Sequence, residues 1–111
     1  MHVFPGLGNF CLEPDLIGVG MGVPTLIDAG TSGVATFELA RRAVIDHPAT
    51  ATEVLALIDP NQLYLATKDF ICHKLRIAND LRNLDVESTV EVLERNRDVV
   101  LGFKVRTCVA G

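Results

Sequence analysis

Apolar residues in the chain come in short runs closed by turn residues, and the stretches between the runs carry a helical period. Residues 23–30, Val-Pro-Thr-Leu-Ile-Asp-Ala-Gly, form an apolar run that predicts a buried parallel strand stopping at Asp28 or Ala29, with Pro24 suited to its start. Thr31 or Ser32 can cap a following helix in which Val34, Phe37, Ala40, Val44 and Ile45 share one face, and His47-Pro48 ends it. Residues 52–58, with the core Val54-Leu55-Ala56-Leu57-Ile58, read as a second strand closed by Asp59-Pro60-Asn61. Asp85 caps a helix over 86–96 whose apolar stripe is Val86, Val90 and Leu93, with Glu91 and Arg95 spaced to pair. Residues 99–106 give a further strand. At the front, Val3-Phe4 is a strand stub and residues 14–19 suit a short helix; residues 62–84 fit either one helix or a loop with a helix inside it.

Strand and helix therefore alternate as β-α-β-α-β-α-β, which implies a parallel sheet with right-handed crossovers and an α/β architecture. The length of 111 residues leaves room for one domain. The first strand is about three residues long and the last runs almost to Gly111, so the sheet is expected to be cut at both ends.

Charge narrows the partners. With 14 acidic and 10 basic side chains, and no basic cluster beyond Arg41-Arg42, there is no electrostatic footprint for nucleic acid. Uncharged stretches reach only 12 residues against the ~20 of a spanning helix, and the first residues lack a signal-peptide pattern; a cytoplasmic setting is the expectation. Cys11, Cys72 and Cys108 are odd in number and widely spaced, which suits buried thiols rather than a disulfide or zinc framework. Gly18-Val19-Gly20-Met21-Gly22 precedes a strand instead of following one, so it reads as a turn and not a nucleotide loop. Cys72 and His73, adjacent in sequence, point different ways on a helix or strand.

Lys104 is the anomaly. A lysine flanked by Phe103 and Val105 either reaches solvent at the strand end, pairs with a carboxylate, or carries chemistry, and ligand sites in parallel α/β folds gather at strand carboxyl ends. Period-two alternation puts Arg106 on the face of Lys104, where it is either a contact for a substrate anion or a solvated charge. His2, at the start of the strand stub, is a loose terminal residue or a ligand, and Asp28 either orders a pocket or forms a turn.

Three segments taken together, His2-Val3-Phe4-Pro5-Gly6, then residues 22–33 (GVPTLIDAGTSG), then Gly102-Phe103-Lys104-Val105-Arg106, resemble the metal-dependent amidohydrolases of the dihydroorotase and adenine-deaminase-like deacetylase group. The resemblance covers nearly the whole chain and only the front half of that family's (β/α)8 barrel. It implies a parallel (β/α) half-barrel, the front part of a TIM barrel. In the family, a His-x-His pair ends the first strand and a lysine carboxylated by carbon dioxide ends the fourth. His2 then matches the second histidine, Met1 stands at x, and Lys104 matches the carboxylated lysine, giving His2 and Lys104 as metal residues and Arg106 as a substrate contact. The first histidine would lie upstream, and the remaining histidines and the aspartate base would lie beyond Gly111. The implied cofactor is a divalent metal such as zinc, two ions ~3.5–4 Å apart in the intact family, activating water against a cyclic amide, amide or acetyl group. The implied partners are a small amide or acetylated substrate and a complementing chain or second copy that closes the sheet, with little activity expected of the chain alone. The other reading is a non-catalytic α/β module that binds a partner through its open sheet edges.

Overall fold

The computed structural model describes residues 1–5, 11–60 and 81–105. Three parallel strands lie side by side in chain order: β1 (Thr25–Gly33), β2 (Glu53–Asp59) and β3 (Val100–Phe103). Before them come α1 (Pro14–Ile17) and a 3-10 turn (Val19–Met21) closed by Gly22 at φ 78°. Between β1 and β2 runs α2 (Phe37–Ala40), which widens into a π turn over Arg41–Ile45; α3 (Val86–Arg95) leads into β3. This is the expected α/β class, a parallel sheet with helices on one face. The glycine-rich stretch before β1 is a turn, as its position implied.

Alternation explains the sheet. Leu26, Asp28, Val54, Ala56 and Ile58 point to the helix side and are buried, whereas Thr25, Ile27 and Glu53 on the other face are exposed. Val3, Phe4, Phe37, Ala40, Val44, Val92 and Val100 complete the core. Each large apolar side chain taken fully from water contributes roughly 1.5–3 kcal/mol, and Phe4, Phe37 and Ile58 are all fully buried. Residues 1–4 run along β1 on the edge away from β2: the Met1 carbonyl accepts from the Ala29 N–H at 2.7 Å. The strand stub expected at Val3-Phe4 is thus held inside the core.

Four local expectations change. First, β1 does not stop at Asp28 or Ala29 but continues to Gly33. Its register passes from Ala29 opposite Leu57 to Gly33 opposite Asp59, setting Gly30, Thr31 and Ser32 against Ile58 alone. Gly30 takes φ 81°, a left-handed conformation that makes this three-against-one bulge possible. Second, Thr31 and Ser32 are therefore strand residues and not helix caps; α2 begins four residues later, after Thr36, whose hydroxyl accepts from the Gly33 N–H at 3.0 Å. Third, α3 is capped by Asp85 as expected, its carboxylate accepting from the Ser88 N–H at 2.9 Å, but the helix is turned differently. Its buried side is Thr89 and Val92 with Asn96 beyond, Leu93 packs beside them, and Val86 is 76% exposed. The i, i+3, i+7 set from Thr89 takes the inward face because the Thr89 hydroxyl can bond the Asp85 carbonyl within the helix. The nearby ion pair joins Arg97 to Glu94 rather than Glu91 to Arg95. Fourth, β3 covers Val100–Phe103, shorter than residues 99–106, and Lys104 stands one residue past its end. The open segment 62–84 falls largely outside the described residues, as do Cys72, His73 and Cys108.

Candidate functional site

The carboxyl-terminal end of β1 collects the unusual side chains. Asp28 is fully buried, and its carboxylate is held by three donors: the Val3 N–H and the Thr31 hydroxyl on Oδ1, at 2.8 and 2.5 Å, and the Thr31 N–H on Oδ2 at 2.8 Å. An aspartate whose acceptors are filled in this way ties residue 3 to the bulge, so it fixes where the neighbouring His2 stands. His2 is half-buried, and its Nδ1 lies 2.6 Å from Thr31 Oγ1. Asp28, Thr31 and His2 form one continuous chain of hydrogen bonds.

Lys104 reaches the same end of β1 from the other direction. Its N–H donates to the Ile58 carbonyl at 2.8 Å, carrying the ladder with β2 one step past β3. Its stem lies across Gly30, where an added Cβ would overlap Lys104 Cβ and Cγ. Gly30 is thus required twice, by its φ and by the close passage of the lysine stem. Lys104 is half-buried rather than enclosed.

His2 and Lys104, 102 positions apart in sequence, therefore sit against Thr31 and Gly30, consecutive residues of one bulge. Arg106 lies outside the described residues. Among the described residues no group of three or more His, Cys, Asp and Glu side chains comes together as a metal cluster. What the rim offers a divalent metal is an imidazole held against Thr31 and a lysine laid in a cradle that a Cβ would fill. Both suit part of a ligand set and neither suffices as one.

Sequence reasoning singled out His2 and Lys104 but missed Thr31, which it assigned to a helix cap. The usable signal was Asp28 followed three residues later by Thr31, an arrangement in which a carboxylate bonds the N–H and hydroxyl ahead of it. Ser32 is also fully buried here, and its hydroxyl has no hydrogen-bond partner. Asp59 is also buried, at the end of β2.

The amino-terminal end of the sheet is built otherwise. Asp15 of α1 accepts from the N–H groups of Ala51 and Thr52 and from the Thr52 hydroxyl, and these bonds hold its carboxyl below the usual carboxylate range, Ala51 contributing most. Arg41 joins Asp46, Asn96 and both carboxylate oxygens of Asp98, linking the end of α2 to the turn before β3. The Asp98 and Asp46 contacts raise the pKa of the guanidinium further, in that order.

No family model matches the chain. It is 26% identical over 106 residues to a deacetylase of Agrobacterium fabrum and, to the same degree, to a deacetylase of Brucella anthropi; each match covers 96% of this chain and 25% of the other protein. The chain thus spans about a quarter of the length of the curated relatives it matches. Its fold superposes on a crystal structure of a dihydroorotase with a TM-score of 0.81 at 24% identity, covering 96% of this chain and 27% of that one. The chain accordingly has the fold of part of a parallel (β/α) barrel, and its sequence resembles hydrolases, named deacetylases, over a quarter of their length.

Proposed function

We propose that this chain forms the front part of a metal-dependent amidohydrolase acting on non-peptide carbon–nitrogen bonds, with His2 and Lys104 among its metal ligands and Lys104 acting as a carbamate formed with carbon dioxide. The observation that carries this reading is the convergence of His2 and Lys104 on the consecutive residues Thr31 and Gly30 at the carboxyl end of a parallel strand. That end is where barrel enzymes of this architecture hold their catalytic groups. The match to proteins named deacetylases adds the reaction class.

Each residue has a separate task. His2 offers an imidazole nitrogen from a segment anchored by Asp28. Lys104, its stem laid over Gly30, presents the amine whose carbamate gives two hard oxygens in place of one nitrogen. Gly30 keeps that path open, and Arg106 is the proposed contact for an anionic group of a small amide or acetylated substrate. A bound divalent metal such as zinc would supply carbonyl polarisation and a water of lowered pKa. Two ligands cannot hold a binuclear centre, so the rest of the set is proposed to come from outside the described residues, through further strands, a complementing chain or a second copy. A cytoplasmic setting belongs to the same proposal; among the described residues no helix is long and apolar enough to cross a membrane.

Zinc titration of the 111-residue chain in bicarbonate tests this reading. Weak binding that is lost in both His2→Ala and Lys104→Ala is expected, together with a carbamate carbon signal from labelled bicarbonate that disappears in Lys104→Ala. Binding indifferent to both substitutions, or amide hydrolysis at enzyme-like rates by this chain alone, would overturn it.

A second reading, a non-catalytic module that binds through its sheet, is favoured by the apolar side chains exposed on and just beyond the strands, among them Ile27, Leu101, Phe103 and Val105. Light scattering separates the two. A defined dimer that takes up no zinc supports the module.

A further inference from the structure

We infer that the cleft between α2 and the end of α3 is a binding site for a small zwitterion, its carboxylate held by Arg42 and Arg95 and its ammonium by Glu38. The cleft has a volume of about 650 Å3, within the ~300–1,000 Å3 of small-molecule sites. Its walls carry three guanidiniums, Arg41, Arg42 and Arg95, and three carboxylates, Glu38, Asp46 and Asp98. Arg41 is engaged within the wall: its N–H groups donate to Asp46, to Asn96 and to both oxygens of Asp98, which takes up those two carboxylates as well. Arg42 and Arg95 behave differently. Each has a glutamate four residues earlier, Glu38 and Glu91, the spacing at which Glu and Arg pair along an α-helix. Among the described residues neither pair forms, and neither guanidinium has a hydrogen bond or ion pair with any other group.

The π turn over Arg41–Ile45 accounts for Glu38 and Arg42. The helix widens between them, so four residues no longer bring one side chain over the other, and both line the cleft unpaired. One oxygen of Glu38 accepts a long bond of 3.3 Å from the Asn96 amide; the other has no hydrogen bond among the described residues. Two positive groups and one negative group therefore remain open to a ligand. Planar guanidinium forks hold a carboxylate through paired N–H donors. A simple anion would also meet Glu38 and the partially negative ends of two helices, since α2 with its π turn and α3 both terminate at this cleft. An ammonium beside the carboxylate turns that repulsion into attraction. The formal charges of the walls cancel, three against three, which suits a ligand of zero net charge. This site is independent of the His2 and Lys104 reading.

Titration of the 111-residue chain with L-alanine, followed by the backbone amide shifts of residues 95–98, tests the site. Propionate and ethylamine are the companion probes, each keeping one of the two charges. Saturable binding of L-alanine is expected, with both single-charge probes about 10-fold weaker or more. Arg42→Ala, Arg95→Ala and Glu38→Gln should each weaken L-alanine about 5–10-fold. Arg97→Ala removes an equal charge from a residue that pairs with Glu94 and does not line the cleft, and it should leave binding unchanged. Arg42, Arg95 and Arg97 are all exposed, so these variants keep the fold. Absence of a saturable shift with L-alanine overturns the site, and a single-charge probe bound as tightly as L-alanine overturns the zwitterion. Equal weakening by Arg97→Ala overturns both in favour of the general field of the surface.

Discussion

The two ends of the sheet solve opposite problems with similar residues. At the amino-terminal end, charged groups are spent on each other and on the backbone: Asp15 stitches α1 to the start of β2, and Arg41 bridges α2 to Asp98 just before β3. At the carboxyl-terminal end the backbone is bulged, Gly30 is left-handed, one buried hydroxyl has no partner, and a lysine and a histidine are led to the same rim. The comparison teaches where this fold keeps its stability and where it tolerates strain, a division expected of parallel β/α architectures.

The sharpest way to break that contrast is at Asp28. Asp28→Ala removes the acceptor of three buried donors, and a loss of about 3–5 kcal/mol is expected in chemical denaturation. A loss below about 1 kcal/mol would mean that the carboxyl-terminal rim is not anchored there. Gly30→Val comes next, at about 2–3 kcal/mol, because it combines a disfavoured φ with overlap on the Lys104 stem. Lys104→Ala in the same background should recover only part of that loss, since it removes the obstructing Cγ and keeps the Cβ that comes closest, and a double-mutant cycle measures how much.

At the opposite end effects are smaller and depend on conditions. Arg41→Ala should cost about 1 kcal/mol at low salt and less at high salt, as its carboxylate partners are largely exposed. Asp15 has a depressed native pKa, so its contribution is fully present above the ordinary carboxylate pKa and is lost as pH falls through the native value. Acid unfolding of Asp15→Asn should therefore be flatter than that of the parent in the region below about pH 4. Ser32→Ala is the mildest: its hydroxyl is buried without a partner, so the change should be neutral or stabilising by up to about 1 kcal/mol.

Much of the scaffold was legible because it depends on period. The apolar runs at 23–30 and 52–58 and the cap at Asp85 all correspond to described elements, and the parallel α/β class follows from their order. What was not legible depends on contacts distant in sequence. Nothing local marks Thr31 as a strand residue, since Ser and Thr before an apolar period are ordinary helix caps; its place follows from Asp28 and from the register with β2. The orientation of α3 differs because Val86 and Val90 suit an inward stripe by hydropathy alone, whereas Thr89 goes inward with its hydroxyl on the Asp85 carbonyl, and Asn96 with its amide on the Val92 carbonyl and its oxygen accepting from Arg41. At the site, Lys104 stood out as a cation among apolar neighbours. Its meeting with Gly30 could not be read, because it requires the curvature of three strands.

The run of three residues facing Ile58 works as a spacer between the sheet and everything that follows it. Shortening it by a single residue would rotate the outgoing chain by half a pleat, turning Val34 and Phe37 away from the interior and dragging Thr31 off the imidazole in the same movement. Assembly of the first crossover helix and the shape of the rim are thereby tied to one loop length, so neither can be remodelled without disturbing the other.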